Sequence, residues 1–267
     1  MPYAERQGIR LYYERRGAGD LELLFVPGWC CDHTVFVPQV EHFAQTCTVT
    51  TLDPRGCGRS SAPADGYDIA TLADDLAWLC DEVGIEHPVV LGHSLGGMVP
   101  VELAARHPQL PRAIVGFDPG PIHPTAATRS IYAGLAEALA GPSGEHARRA
   151  FVEAAAGPTL EESLRRHVIE TMCAVPLPIA TAMIRGVAAW AGYAALALCN
   201  VPVLVLLSQP PESNDPARLR DAKPDVQFGM TFGVGHFNHL EAPDQVNPMV
   251  DRFLESVVQK SPLFANA

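Results

Sequence analysis

Apolar positions along the first third of the chain alternate between a strand rhythm and a helix rhythm. Residues 10–15 and 21–26 read as strands, the second a nearly unbroken apolar run of the kind buried inside a parallel sheet. Residues 33–45 show helical spacing, and residues 48–52 form a third strand ending at Asp53-Pro54-Arg55-Gly56. In residues 70–83, Leu72, Leu76, Leu79 and Val83 recur at helical intervals, and Gly84 supplies the stop. A short strand at 88–91, a helix at 95–106 and a strand at 112–117 continue the alternation. Strands alternating with helices at this spacing predict an α/β fold with a doubly wound, mostly parallel sheet.

The rhythm changes after Pro121. Residues 122–199 carry helical patterns and no convincing strand, and 20 of these 78 residues are alanine. The alternation resumes with a strand at 201–207, a helix near 216–223, a strand at 226–231 and a last helix at 243–258. We therefore expect a core of residues 1–121 and 200–267, with residues 122–199 inserted as a helical cap. Residues 187–207 are uncharged and long enough to cross a membrane, yet Asn200-Val201-Pro202 breaks them. A cap helix followed by a buried strand accounts for them better, so no membrane partner is expected.

Composition narrows the class. Of 267 residues, 48% are hydrophobic and 18% charged, enough apolar content for a large core. The net charge of −11 and the lack of a basic cluster argue against nucleic acid as a partner. Met1-Pro2-Tyr3-Ala4-Glu5-Arg6 has no apolar signal core, so a cytoplasmic location is expected. The seven cysteines have no framework-like spacing and read as free, mostly buried thiols. The sequence leaves a monomer and a homodimer equally open.

Three segments carry chemistry. Gly92-His93-Ser94-Leu95-Gly96-Gly97 follows a short apolar strand and precedes a helix, the setting a nucleophile elbow requires. Ser94 is the candidate nucleophile. Gly233-Val234-Gly235-His236 follows the last strand and places His236, the candidate base, at the carboxyl edge of the sheet. His239 reads as a structural or gating residue and His93 as packing behind the nucleophile; the histidines show no metal-ligand spacing, so neither a metal nor a cofactor is expected. A histidine base needs a carboxylate to orient it. The usual slot, after the strand that resumes beyond the cap, reads Leu206-Leu207-Ser208-Gln209-Pro210-Pro211 and holds none; Glu212 and Asp215 follow it. Phe117-Asp118-Pro119, at the end of the strand after the nucleophile helix, supplies Asp118, the preferred acid. The glycine-rich turn at residues 53–60 lacks the lysine and spacing of a phosphate loop and reads as structural, fixed by its arginine.

The elbow at Ser94, the turn at residues 53–60 and the Gly-x-Gly-His at residues 233–236 together resemble the α/β-hydrolase superfamily along essentially the whole chain. That resemblance implies an oxyanion hole formed by the backbone N–H groups of Trp29, beside Gly28, and of Leu95. Two subgroups are similar. The elbow and the His236–Leu240 tail look like serine esterases. Pro27-Gly28-Trp29-Cys30 with Asp32-His33, Ser208-Gln209-Pro210 and an acid at Asp118 look like the cofactor-independent dioxygenases that cleave 3-hydroxy-4(1H)-quinolones; Leu95 and Pro119 depart from that group, where histidine and tryptophan stand. The favoured expectation is the dioxygenase: His236 and Asp118 deprotonate a small apolar aromatic substrate, O2 adds, and carbon monoxide and an N-acylanthranilate leave. The alternative is a serine hydrolase using Ser94, His236 and Asp118 on a small apolar ester or amide.

Overall fold

A computed structural model describes residues 2–209 and 213–259. Its elements, in chain order, are β1 (Tyr3–Arg6), β2 (Ile9–Arg16), β3 (Glu22–Val26), a 3-10 turn (His33–Phe36), α1 (Val37–Phe43), β4 (Thr48–Leu52), α2 (Ile69–Val83), β5 (Val89–His93), α3 (Leu95–Arg106) and β6 (Ala113–Phe117). Five helices follow without a strand: α4 (Ala126–Ala140), α5 (Gly144–Ala156), α6 (Glu162–Ala174), α7 (Leu177–Ala189) and α8 (Gly192–Leu198). Then come β7 (Val203–Leu207), α9 (Pro216–Ala222), β8 (Gln227–Met230), α10 (Asn238–Glu241) and α11 (Pro243–Gln259).

The eight strands form one sheet in the order β1-β2-β4-β3-β5-β6-β7-β8. Pairing is antiparallel through β1, β2 and β4, and parallel from β4 to β8. This is an α/β hydrolase fold. The parallel strands explain their own sequences: every residue of β4, β5, β6 and β7 is buried, so none needs a polar face. Phe25, Phe36, Phe43 and Phe117 cluster beneath the sheet's carboxyl edge with ring centroids 5.1–6.4 Å apart. That packed floor carries the loops of the site.

Two local expectations shift. Residues 3–6, which show no strand rhythm, pair with β2 across a two-residue turn in which Gln7 and Gly8 have φ of 52° and 80°. Positive φ at both positions is the hairpin geometry, and glutamine is not its usual signal. The helix expected over 33–45 divides at Val37, because Pro38 has no N–H to donate and fits a first helical turn. All seven cysteines are free thiols, six of them buried. Among the described residues no single helix is long and apolar enough to cross a membrane.

Candidate active site

Ser94 is the single residue between β5 and α3, held at φ 52° and ψ −121°. A non-glycine residue in that region is strained and persists only when its surroundings fix it. The neighbouring glycines allow it. A Cβ on Gly92 would stand 1.9 Å from the Gly96 carbonyl oxygen, and one on Gly96 would stand 2.1 Å from that of Val26. The backbone N–H groups of Gly97 and Gly120 donate to the Ser94 carbonyl at 2.9 and 2.8 Å, which locks the turn. The hydroxyl is left above the end of the sheet.

Two further loops converge on it. His236 Nε2 lies 2.9 Å from Ser94 Oγ, and His236 Nδ1 lies 2.7 Å from Asp118 Oδ2. The Asp118 carboxylate is buried, and its other oxygen accepts the Ser208 N–H at 3.1 Å. Asp118 also sits at positive φ, 37°, directly after β6. An ionised carboxylate against Nδ1 keeps the hydrogen there and leaves the Nε2 lone pair to receive the serine proton. The fold thus joins Ser94, His236 and Asp118, residues read from three separate segments. Asp215 is not among them: it caps α9 by accepting the Ala217 N–H at 2.9 Å. Glu212, the other alternative acid, lies outside the described residues, as do Pro210 and Pro211.

The turn after β3 completes the floor. A Cβ on Gly28 would stand 2.9 Å from His93 Nδ1 and 3.2 Å from the Ser94 Cβ, so only glycine lets this turn approach the nucleophile so closely. Trp29 and Leu95 both border the cavity above Ser94. Leu95 is the first residue of α3, so its N–H has no partner within the helix. Asp53 ties this turn to the one after β4, its carboxylate accepting the backbone N–H groups of His33 and Arg59 at 2.9 and 2.8 Å. Asp32, His33 and Asp53 are the described residues whose donor atoms cluster closely enough for a metal. Those backbone bonds, and the Thr34 N–H on Asp32, already engage the carboxylates, so the group reads as a clasp between loops. Arg55 of the same loop makes a two-pronged ion pair with Asp75 of α2 at 2.6 and 2.5 Å, which agrees with a structural loop.

Two contacts around the base escape a sequence reading. Both oxygens of Glu241 accept the Gly235 N–H at 3.1 Å, and the Thr159 hydroxyl donates to the same carboxylate. Glu241 therefore fixes the residue before the base and links it to the loop between α5 and α6. A carboxylate five residues beyond His236 was its available signal. His93 Nε2 approaches the main-chain oxygen of His236 at 3.0 Å, so the residue expected to pack behind the nucleophile also braces the base.

His93 and His239 are fully enclosed, packed at tilted angles against Phe237 and each other. Burial, with His239 and His236 close by, holds His93 well below the usual histidine range. Burial and the nearby His236 push His239 down to about 3. Unfolded histidines bind protons near pH 6.5, whereas these two refuse them when folded, so acid favours the unfolded chain. Stability is expected to be full above about pH 6.5 and to fall between there and about pH 3. The limiting slope is about tenfold in the folding equilibrium per pH unit for each histidine. Urea midpoints at pH 7.5, 6 and 5 check this; a flat profile contradicts it.

Above these residues lies a cavity of about 280 Å³. Leu95 and Met98 border it from the core, and Phe151, Met172, Ile184 and Val187 from the helices between β6 and β7. Among the described residues, no Asp, Glu, Lys or Arg lines it.

A serine on a strand-to-helix elbow, a histidine after the last strand and an aspartate at a strand end, brought together on this sheet, are the arrangement expected of the α/β hydrolase fold. The chain belongs to the α/β hydrolase fold family, whose model matches residues 23–173. It is similar to a 2-(acetamidomethylene)succinate hydrolase of Mesorhizobium japonicum, at 34% identity over 125 residues, 47% of this chain and 45% of that protein. The matched stretch spans less than half the length of the curated relatives. Among solved structures, the enol-lactonase of Burkholderia xenovorans LB400 superposes with a TM-score of 0.82 at 20% identity, covering 95% of this chain and all of that one. An N-acyl homoserine lactone degrading enzyme superposes at 0.79 with 26% identity, covering 94% and 100%.

These relatives correct the favoured sequence expectation. Proteins named as hydrolases stand where a quinolone dioxygenase was expected, and the dioxygenase reading is withdrawn. It rested on Pro27-Gly28-Trp29-Cys30 with Asp32-His33, on Ser208-Gln209-Pro210 and on an acid at Asp118. A turn close to the serine and a carboxylate against the histidine suit ester cleavage equally.

Proposed function

We propose that this protein is a serine hydrolase that cleaves small, uncharged carboxylic esters or amides through Ser94, His236 and Asp118. The observation that carries the reading is the continuous hydrogen-bonded chain from Ser94 Oγ through His236 to Asp118, at 2.9 and 2.7 Å. In this reaction His236 Nε2 takes the Ser94 proton as Oγ attacks the acyl carbonyl carbon. The tetrahedral oxyanion is held by the backbone N–H groups of Trp29 and Leu95. His236 then protonates the departing alcohol or amine. Water, deprotonated by the same histidine, releases the acid and restores the serine.

The lack of a charged side chain among its described lining residues favours a neutral acyl group, because a carboxylate buried there would lose its hydration without gaining a cation. The name of the Mesorhizobium relative carries a dicarboxylate; the walls of this cavity offer such a group no counter-ion among the described residues. A fluorophosphonate should add one label per chain, at Ser94, and p-nitrophenyl butyrate should be hydrolysed. The p-nitrophenyl hemisuccinate should be at least about 100-fold poorer in kcat/KM, given the cost of an unpaired buried carboxylate. No label and no ester turnover would sink the hydrolase reading; comparable rates on both esters would sink the neutral-substrate part alone.

A further inference from the structure

The turn that carries the Trp29 N–H is held from two sides. On the core side, the His33 N–H donates to Asp53 at 2.9 Å, Cys31 N–H closes the turn onto Gly28 at 3.1 Å, and Gly28 packs on Ser94. On the other side the grip comes from the helices between β6 and β7. The Trp29 indole Nε1–H donates to the Ala180 carbonyl of α7 at 2.9 Å, 151 residues away in sequence. Its ring stands edge-on to Phe151 of α5, with centroids 5.4 Å apart at 80°. Between these anchors Cys30 is held at φ 58°, a backbone region that non-glycine residues leave when nothing holds them there. The indole is buried, so its bond to α7 does not compete with bulk water.

We propose that the Trp29 indole is a positioning group that couples the seating of α5 and α7 to the oxyanion hole, a role that rests on the serine hydrolase reading. With the indole bonded to Ala180, the strained Cys30 peptide is held and the Trp29 N–H points at the site of the developing oxyanion. When α7 lifts, the turn relaxes and that donor swings away. Oxyanion stabilisation is thus complete only with the cap seated over the substrate, which keeps the reactive geometry and the closing of the cavity in step.

Trp29→Phe tests this, because it keeps a ring against Phe151, removes the indole donor and leaves the backbone N–H in place. A loss of rate therefore reports the aim of that N–H and not its removal. With p-nitrophenyl butyrate, kcat per phosphonate-titrated site should fall about 10- to 100-fold, below the 10²–10³ loss for an oxyanion donor removed outright. KM should stay within about threefold. Affinity for phenylboronic acid, which forms a tetrahedral adduct on the serine, should fall in parallel with kcat. Unchanged kcat and boronate affinity, or a rise in KM alone, would overturn the proposal and leave Trp29 as packing. Should Trp29→Phe not fold, the unmodified protein decides. Methylboronic acid, too small to span the cavity, should slow amide exchange around Ala180 in α7; no slowing there overturns the coupling. Failure of the unmodified protein to bind either boronate or to cleave any ester would instead count against the hydrolase reading.

Discussion

Ser94→Ala is expected to lower kcat/KM for an activated ester by about 10⁴- to 10⁶-fold. The size follows from the geometry. Ser94 Oγ is the atom His236 Nε2 faces at 2.9 Å, and its loss ends covalent catalysis while the cavity remains. Residual turnover should come from water directed by the oxyanion donors and the bound pose, so KM should change little. Fold stability should hold or rise, because Ser94 is held at φ 52° by its surroundings and not by its own side chain. The measurement is kcat/KM on p-nitrophenyl butyrate after removal of contaminating esterase by phosphonate. A loss of only tenfold would show that Ser94 merely orients the substrate, and covalent catalysis would fall with it.

Asp118→Asn carries the second largest expected effect, about 10⁴-fold in kcat. The amide is the same size, yet its NH₂ cannot accept the Nδ1 hydrogen of His236, so the ring would take the wrong tautomer or turn. The Ser208 N–H that Asp118 accepts at 3.1 Å can still be satisfied by the amide oxygen, so the loop after β6 should persist. The readout is therefore a fall in kcat without an equal fall in the urea midpoint. Activity within tenfold of the unmodified protein would move the acid's role away from Asp118. Glu212→Gln made in parallel should leave kcat unchanged, which separates the two carboxylates on one assay.

Ser94 and His236 were legible because their constraint is local. A strand that turns straight into a helix needs small residues on both sides of one side chain, and Gly92 and Gly96 announce it. The parallel strands were legible for a similar reason: β6 and β7 are buried on both faces and read as unbroken apolar runs. Asp118 could be placed by counting one helix and one strand beyond Ser94. The chemistry was not legible, since an oriented base beside an oxyanion turn serves proton abstraction and ester cleavage alike. Nor were the tethers. Trp29 meets Ala180, and Glu241 meets Thr159, only because the helices between β6 and β7 pack where they do. No periodicity in either segment records its partner.

Ser94 and Asp118 both precede α4, and the helices α4 to α8 leave and re-enter the sheet on β6 and β7, which are hydrogen-bonded neighbours from Ile114↔Val203 to Phe117↔Leu206. The two ends of the helical segment are therefore adjacent, so a change in its length need not alter the register of the sheet. The described part of the turn after β7 is tied to the loop after β6, Ser208 N–H donating to Asp118 and the Asn214 amide to the carbonyls of Pro119 and Gly120. Changes in the helical segment reach the cavity wall first, since Phe151, Met172, Ile184 and Val187 all line it, and Ala180 of the same segment holds the Trp29 indole.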